Sequence, residues 1–303
     1  MRLERLGGGG LLALLLATAC ASSRAGGGAA ASPAPAPPPY APANSTTTAP
    51  PASRPSDAIR YRPSALRYVV HRQLHIQQAL AGDQTQSQNI GARIFVVAAI
   101  TGPADSVGYP ASFAVDSIVA DSGAPAPIAD NMSKVRKLVF MGRVGPRGDF
   151  VNAVASDSAL AQGAVQLLGS FRDFLPRLPS DGLRPGVTWS DTVETTLKGS
   201  GSEVSRRTIT EAKAAEWEDH GGARSLRLVA SQTFRVAGSG KNMGQPFELS
   251  GAGTGTSVAY VAVDGRYLGG EAQDSTTLTV RLTVQGVAIP VTQLTRTTIA
   301  VLP

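Results

Sequence analysis

His71 and His75 stand four residues apart. On a helix that spacing would place two imidazoles on one face, as a divalent metal needs. Here they fall in an alternating segment, Leu66 to Gln78, where Tyr68, Val70, Leu74 and Ile76 share a side that Arg72 interrupts. On a strand the two rings lie about 13 Å apart. No acidic partner sits nearby in sequence, so the pair is read as surface or half-buried histidines and no metal ligand is assigned. His220 lies in EDHGG and reads as a turn residue. Gly251, Gly253 and Gly255 spell GAGTG, but the strand-like SVAYVAV follows. A phosphate-binding glycine loop must open a helix, so these glycines are expected to relieve a bend or bulge in a strand. Glu194, Glu203, Glu211, Glu216, Glu218 and Asp219 offer carboxylates for glycan hydrolysis. That chemistry needs a pair across a cleft, and with Trp189 and Trp217 the only tryptophans, sugar-stacking aromatics are scarce. A solvated strand face is the better reading. Arg147-Gly148-Asp149 is a short tripeptide in a turn. Asn44 and Asn131 match the eukaryotic N-glycosylation pattern, a short motif that assigns no function here. No GxSxG elbow occurs, and no Ser, His and Asp group together. The expectation is no catalytic residue, no metal and no cofactor.

The remaining reactive side chain is Cys20, the only cysteine. It ends the apolar run Leu11 to Cys20, behind Arg2 and Arg5 and after the small residues Ala17, Thr18 and Ala19. Ten residues fall short of the roughly 20 that span a bilayer core, which favours a cleaved signal. The segment resembles a bacterial lipoprotein signal, with residues 1–19 removed and Cys20 lipidated. Ala17 occupies a place where Leu is usual. An ordinary secretory signal is the plainer alternative, but a secreted chain seldom keeps one odd thiol. Acyl chains on Cys20, as the resemblance implies, would tether the protein stably, since each buried CH₂ adds about 0.8 kcal/mol. Ala21 follows the cysteine, where Asp would signal inner-membrane retention in that family. The resemblance therefore implies the outer membrane, facing the periplasm or the cell surface.

With no other cysteine, the domain has no intrachain disulfide and must be held by burial. Hydrophobic residues make up 42% of the chain, enough for a core. The formal charge is +6, of which the signal carries a net +1. The basic residues are scattered and lack the interleaved aromatics of a single-strand binder, so nucleic acid is not an expected partner. A dispersed positive excess suits anionic head groups or glycan.

Residues 20–63 form a Pro-, Ala-, Ser- and Thr-rich tether that cannot repay its ordering by burial. In extended form it would reach up to about 100 Å. A single β-rich domain follows at 64–303, in two halves, 64–175 and 186–303. Strands are expected over Leu66–Gln78, Asn89–Ile100 and around Phe113–Ile118, and over Lys137–Met141 and Asp149–Val154. A short helix is expected at Ile128–Lys137. The best helix is Asp157 to Leu175, where Leu160, Ala164, Leu167, Leu168, Phe171 and Leu175 make one apolar stripe. After the connector, Glu203–Trp217, Arg224–Val236, Phe247–Val263, Arg266–Gln285 and Val287–Leu302 read as long strands, with a helical turn near Glu211–Glu216. Asp264-Gly265 is a strong hairpin signal. Leu278, Val280, Leu282 and Val284 alternate with Thr277, Thr279, Arg281 and Thr283, the pattern of an antiparallel sheet with one wet face. The predicted fold is mainly β, within α+β: long antiparallel strands in a strongly twisted sheet or open half-barrel, with the amphipathic helix packed on it.

That order resembles the curved-sheet lipoproteins of bacterial envelopes, among them the lipoprotein-localisation carriers and the mycobacterial lipid-binding lipoproteins. The resemblance implies a non-enzymatic envelope protein, tied to a membrane by its lipid, that holds an acyl chain or other apolar ligand. Two other readings remain open. One is a module that binds an envelope protein or glycan through its threonine- and arginine-rich face. The other is a hydrolase whose site has no recognisable motif.

Overall fold

In a computed structural model, the described residues are 58–79, 84–122, 135–157, 171–199, 202–242 and 244–303. They form eleven strands: β1 Ser64–Ala79, β2 Thr85–Ile100, β3 Tyr109–Ala120, β4 Val139–Val144, β5 Phe150–Ala155, β6 Thr188–Gly199, β7 Ser202–His220, β8 Ala223–Asn242, β9 Gln245–Ala262, β10 Tyr267–Leu282 and β11 Val287–Leu302. All belong to one open antiparallel sheet in the order β5-β4-β3-β2-β1-β11-β10-β9-β8-β7-β6. Strands adjacent in sequence pair with each other, except that β5 and β6 are the two edges and β1 meets β11. That single long-range pairing, from Arg67 opposite Leu302 to Gln78 opposite Val291, joins the two halves of the chain.

The strands follow from alternation. On β10, Leu278 and Val280 are buried while Thr277 is exposed. On β8, Leu226, Leu228, Phe234 and Val236 are buried. Period-2 patterning of this kind commits a whole strand to one register, because a slip of one residue turns every side chain over. The hairpin at Asp264-Gly265 forms as expected. Gly265 has φ +86°, the Asp264 carboxylate accepts a hydrogen bond from the Arg266 amide at 3.1 Å, and the Gly265 amide donates to the Ala262 carbonyl at 2.9 Å. The alternation stops sooner than the sequence suggests. Val284 sits in the β10–β11 turn and is 72% exposed.

The mixed α+β expectation is corrected. The described residues are all β apart from one helical turn at Phe171–Arg172. Residues 158–170 of the expected amphipathic helix lie outside the described residues, and the helix is not seen. Of its last apolar residues, Phe171 lies in that helical turn and Phe174 and Leu175 in the irregular connector after it, and all three are buried against the sheet. There the rings of Phe171 and Phe174 stack and abut that of Phe113 at 5.2 and 5.3 Å. The burial that a helical stripe would give them is supplied by the sheet. Of the expected helix at Ile128–Lys137, residues 128–134 lie outside the description and 135–137 form a turn. The helical turn near Glu211–Glu216 is strand β7, despite the helix-favouring sequence EAKAAE. Pairing with β6 on one side and β8 on the other outweighs a propensity of a few tenths of a kcal/mol per residue. The β7–β8 register shifts between Ala214 and Trp217. β6 itself was not anticipated as a separate strand.

The connector holds the two edges of the sheet together. Arg147, in the β4–β5 turn, lies 3.5 Å from Asp191 on β6. The Leu178 amide donates to the Arg147 carbonyl at 2.9 Å, and the Tyr61 hydroxyl donates to the Pro176 carbonyl at 2.6 Å. One face of the sheet therefore encloses an interior. A large apolar core fills the end near the connector, with Phe113, Phe140, Val115, Leu178, Leu183 and Leu226 among its members. A smaller core of Leu74, Ile76, Val204, Phe234, Leu278 and Val280 fills the other end.

Candidate functional site

The residues singled out for chemistry in the sequence do not converge. His71 Nε2 lies 2.9 Å from Asp121 Oδ2, and Arg93 Nε lies 3.7 Å from the same carboxylate. Asp121 is distant in sequence and is brought there by the β2–β3 pairing. His75 takes a separate partner, Asn89 Oδ1, at 2.6 Å. No group of three or more His, Cys, Asp or Glu that could hold a metal occurs among the described residues. His220 is more than a turn residue, since its ring stacks on Tyr260 at 3.7 Å. Glu194 and Glu216 face Arg207 and Arg227 at 3.6 and 4.0 Å. Glu203, Glu211 and Asp219 point to the exposed side of β7, and these carboxylates with Glu218 line no common cleft. Arg147-Gly148-Asp149 is no free tip, because Arg147 Nε donates to the Leu178 carbonyl at 3.0 Å. Cys20, Asn44 and Asn131 lie outside the described residues.

GAGTG lies in β9, as expected, but no bulge accompanies it. Both neighbouring ladders are regular there. The glycines serve packing instead. A Cβ on Gly253 would overlap the Phe234 ring, and one on Gly251 would overlap Leu278. Their absence lets those two side chains fill the second core.

Between the two cores the interior changes character. Registers across six strand pairings place Trp189, Ala212, Ala230, Ser257, Ala272, Thr297 and Arg72 in one row. Five of these seven side chains are small. The row toward the first core is Leu228, Ala259, Gly270, Ile299, Val70 and Ile94. The row toward the second core is polar: Asp191, Thr210, Gln232, Gly255, Asp274 and Thr295. Alanine, serine and glycine cannot reach the middle of the interior, so a cavity of about 330 Å³ remains, lined by all three rows and by Phe174. This falls within the size range of small-molecule pockets, and mostly apolar walls with a few polar groups are their usual make-up.

Four charged side chains enter this layer from the sheet: Arg72, Arg206, Asp274 and Asp191. Arg206 is 7% exposed. Its guanidinium carbon lies 3.7 Å from the centre of the Phe234 ring, and its Nε donates to Thr208 Oγ1 at 3.2 Å. Arg72 lines the cavity from β1 and Asp274 from β10. Burial raises the Asp274 carboxyl above its ordinary range, against the opposing pull of Arg206 and Arg72. Nearby on β6, Thr195 Oγ1 is buried and has no hydrogen-bond partner. On the connector, Arg177 pairs with Asp191 at 3.1 Å, and Asp173 also lines the cavity. None of Arg72, Arg206 and Asp274 stood out as a site residue in the sequence. Their signal was position: each occupies an inward place, Arg72 between Val70 and Leu74, Arg206 between Val204 and Thr208, Asp274 between Ala272 and Thr276.

The outward face carries a different surface. Ser190, Glu211, Ser231, Thr256, Gln273 and Arg296 run across six strands along a broad, open depression. Its lining mixes hydroxyls, a carboxamide and charges of both signs with the apolar Ala215, Val229 and Val258.

No protein-family model and no curated protein matches the chain. Among solved structures, that of "Salmonella typhi OmpF complex with Daunomycin" is similar over 80% of this chain and 98% of that one, at 8% identity and a TM-score of 0.24. A score that low does not establish a shared fold.

Proposed function

We propose that this is a non-enzymatic envelope lipoprotein, anchored through Cys20, whose curved sheet holds an apolar or amphipathic small molecule between its two cores. The observation that carries the reading is the register row of Ala212, Ala230, Ser257 and Ala272. A core selected only for stability would fill such a row, because voids lose contacts that large side chains make. The small residues sit where they leave one connected space, with an apolar wall on one side and a polar wall on the other.

The anchor, and not the sheet, makes the membrane association. Arg207, Lys213, Arg235, Arg281 and Arg296 are exposed on the outward face, and each Arg or Lys facing lipid at the bilayer midplane would cost about 2–4 kcal/mol. Export and an outer-membrane address follow from the resemblance of residues 1–20 to a lipoprotein signal.

Two measurements test this. Native mass spectrometry of protein purified from its own host in mild detergent should show a stoichiometric bound molecule of low mass. Consistently ligand-free protein would contradict the binding half. Cys20→Ser should move the protein from the membrane to the soluble fraction, and unchanged fractionation would contradict the anchor.

A further inference from the structure

We propose that the occupant of the cavity is a neutral amphiphile with a hydroxyl head, which donates a hydrogen bond to the Asp274 carboxylate above Gly255 while the apolar body lies against Leu228, Ile299, Val70 and Ile94. The inference rests on the binding reading above and adds the chemistry of the ligand's head and the residue that holds it.

Neutrality comes from the balance of charge. Arg72, Arg177 and Arg206 line the cavity, and so do Asp173, Asp191 and Asp274. With the carboxyls ionised, these positive and negative groups cancel. The cations are all engaged. Arg177 pairs with Asp191, Arg206 lies over the Phe234 ring and donates to Thr208, and Arg72 has a contact of its own. An anion would therefore give up its hydration unless an existing contact were broken to receive it. An ammonium would meet Asp274, but in the opposing field of Arg206 and Arg72, and would leave the walls with a net positive charge. A ligand without charge avoids both costs.

The head group comes from the polar atoms left over. Among the described residues, Asp274 and Gln232 have no hydrogen-bond or ion-pair partner, although both line the cavity. They stand on either side of Gly255 in the register, at twice the strand spacing, about 10 Å. A Cβ on Gly255 would overlap Asp274 Oδ1. The missing side chain lets the carboxylate lie over β9, and a glycine inside a strand often marks such a close approach. Polar side chains withdrawn from water are nearly always hydrogen-bonded. An ionised carboxylate only accepts, whereas a carboxamide also donates. A hydroxyl serves both, giving its hydrogen to Asp274 and taking one from the Gln232 carboxamide. Bonds to charged groups are the stronger ones, and strengthen further away from water. The apolar row of Leu228, Ile299, Val70 and Ile94 lies toward the first core, which is where the body of the molecule goes.

The test uses four probes of similar length, 1-octanol, its isomer heptyl methyl ether, octanoate and octylamine, titrated calorimetrically into the mature protein after its native ligand is extracted. Octanol should bind at least about tenfold more tightly than the ether, which has the same atoms and no donor; that is the difference expected from one hydrogen bond to a charged acceptor. Both ions should bind more weakly than octanol. Asp274→Ala should bring octanol down to the affinity of the ether and leave the ether unchanged. Gly255→Ala, which displaces the carboxylate without removing it, should narrow the preference in the same direction. Ala230→Leu should abolish binding of all four. Circular dichroism of the variants checks that the sheet persists, and should Asp274→Ala unfold, Gly255→Ala gives the same answer. Tightest binding by octanoate or octylamine would overturn the neutral assignment. Equal binding of octanol and ether would overturn the role of Asp274. In either case loss of binding in Ala230→Leu leaves the cavity reading standing. No binding of any probe would overturn both.

Discussion

The two ends of the interior and the layer between them are built from the same strands and differ in what those strands send inward. At the connector end, Phe113, Phe140, Phe150, Phe171 and Phe174 meet ring to ring. At the far end, Leu278, Val280, Phe234 and Leu249 interlock, helped by the missing Cβ atoms of Gly251 and Gly253. In the layer between, the same β8, β9 and β10 contribute Ala230, Ser257 and Ala272, with Asp274 and Gln232 one step on. The ends follow the rule for stability, dense packing of large apolar groups. The middle departs from it along one cross-strand row. Departures from local consistency are where functional sites are expected.

The contrast can be broken from either side. Phe113→Ala, in the aromatic cluster, should cost about 3–5 kcal/mol in chemical denaturation, and Leu278→Ala in the second core about 2–5 kcal/mol. Costs below about 1 kcal/mol at both sites would mean the ends are as loosely filled as the middle. Gly253→Val should cost about 1–3 kcal/mol by driving a side chain into the Phe234 ring. Ala230→Leu should have the opposite sign. Filling a void with an apolar group typically adds about 0.5–2 kcal/mol, so this variant should melt at or above the temperature of the parent while losing its ligand.

The smallest effect concerns pH. In the native state the Asp274 carboxyl holds its proton to higher pH than in the unfolded chain. Between those two pKa values the native state binds more protons, so its stability falls as pH rises. The contribution is fully present below the unfolded pKa and is lost as pH climbs through the raised native one. Subtracting the stability–pH curve of Asp274→Asn from that of the parent should leave this downward slope. A flat difference would mean that the carboxyl is effectively solvated.

Much of the sheet could be read from residue order. Leu278 and Val280 against Thr277 and Thr279 announced one greasy and one wet side, and Asp264-Gly265 announced its turn. The ends of elements were harder. Val284 continues the alternation of types, yet it lies inside the turn that ends at Gly286, whose φ is +65°. Phe171, Phe174 and Leu175 have helical spacing, yet Phe174 and Leu175 fill the core from irregular chain. What could not be read was the closing pairing of β1 with β11, because nothing local in Arg67–Gln78 names Val291–Leu302 as its partner. The site suffered for the same reason. Arg206 beside Arg207, or Asp274 beside Ser275, looks like surface until the register shows which of the two turns inward. The small row becomes visible only when seven strands are aligned.

The most direct measurement is a crystal structure with 8-bromo-1-octanol, located by the anomalous signal of bromine. The account predicts one bromine peak inside the sheet, in the space bounded by Ala230, Ser257 and Ala272. Bromine only on the outer surface, with the space around Ala230 and Ala272 closed by neighbouring side chains, would contradict it.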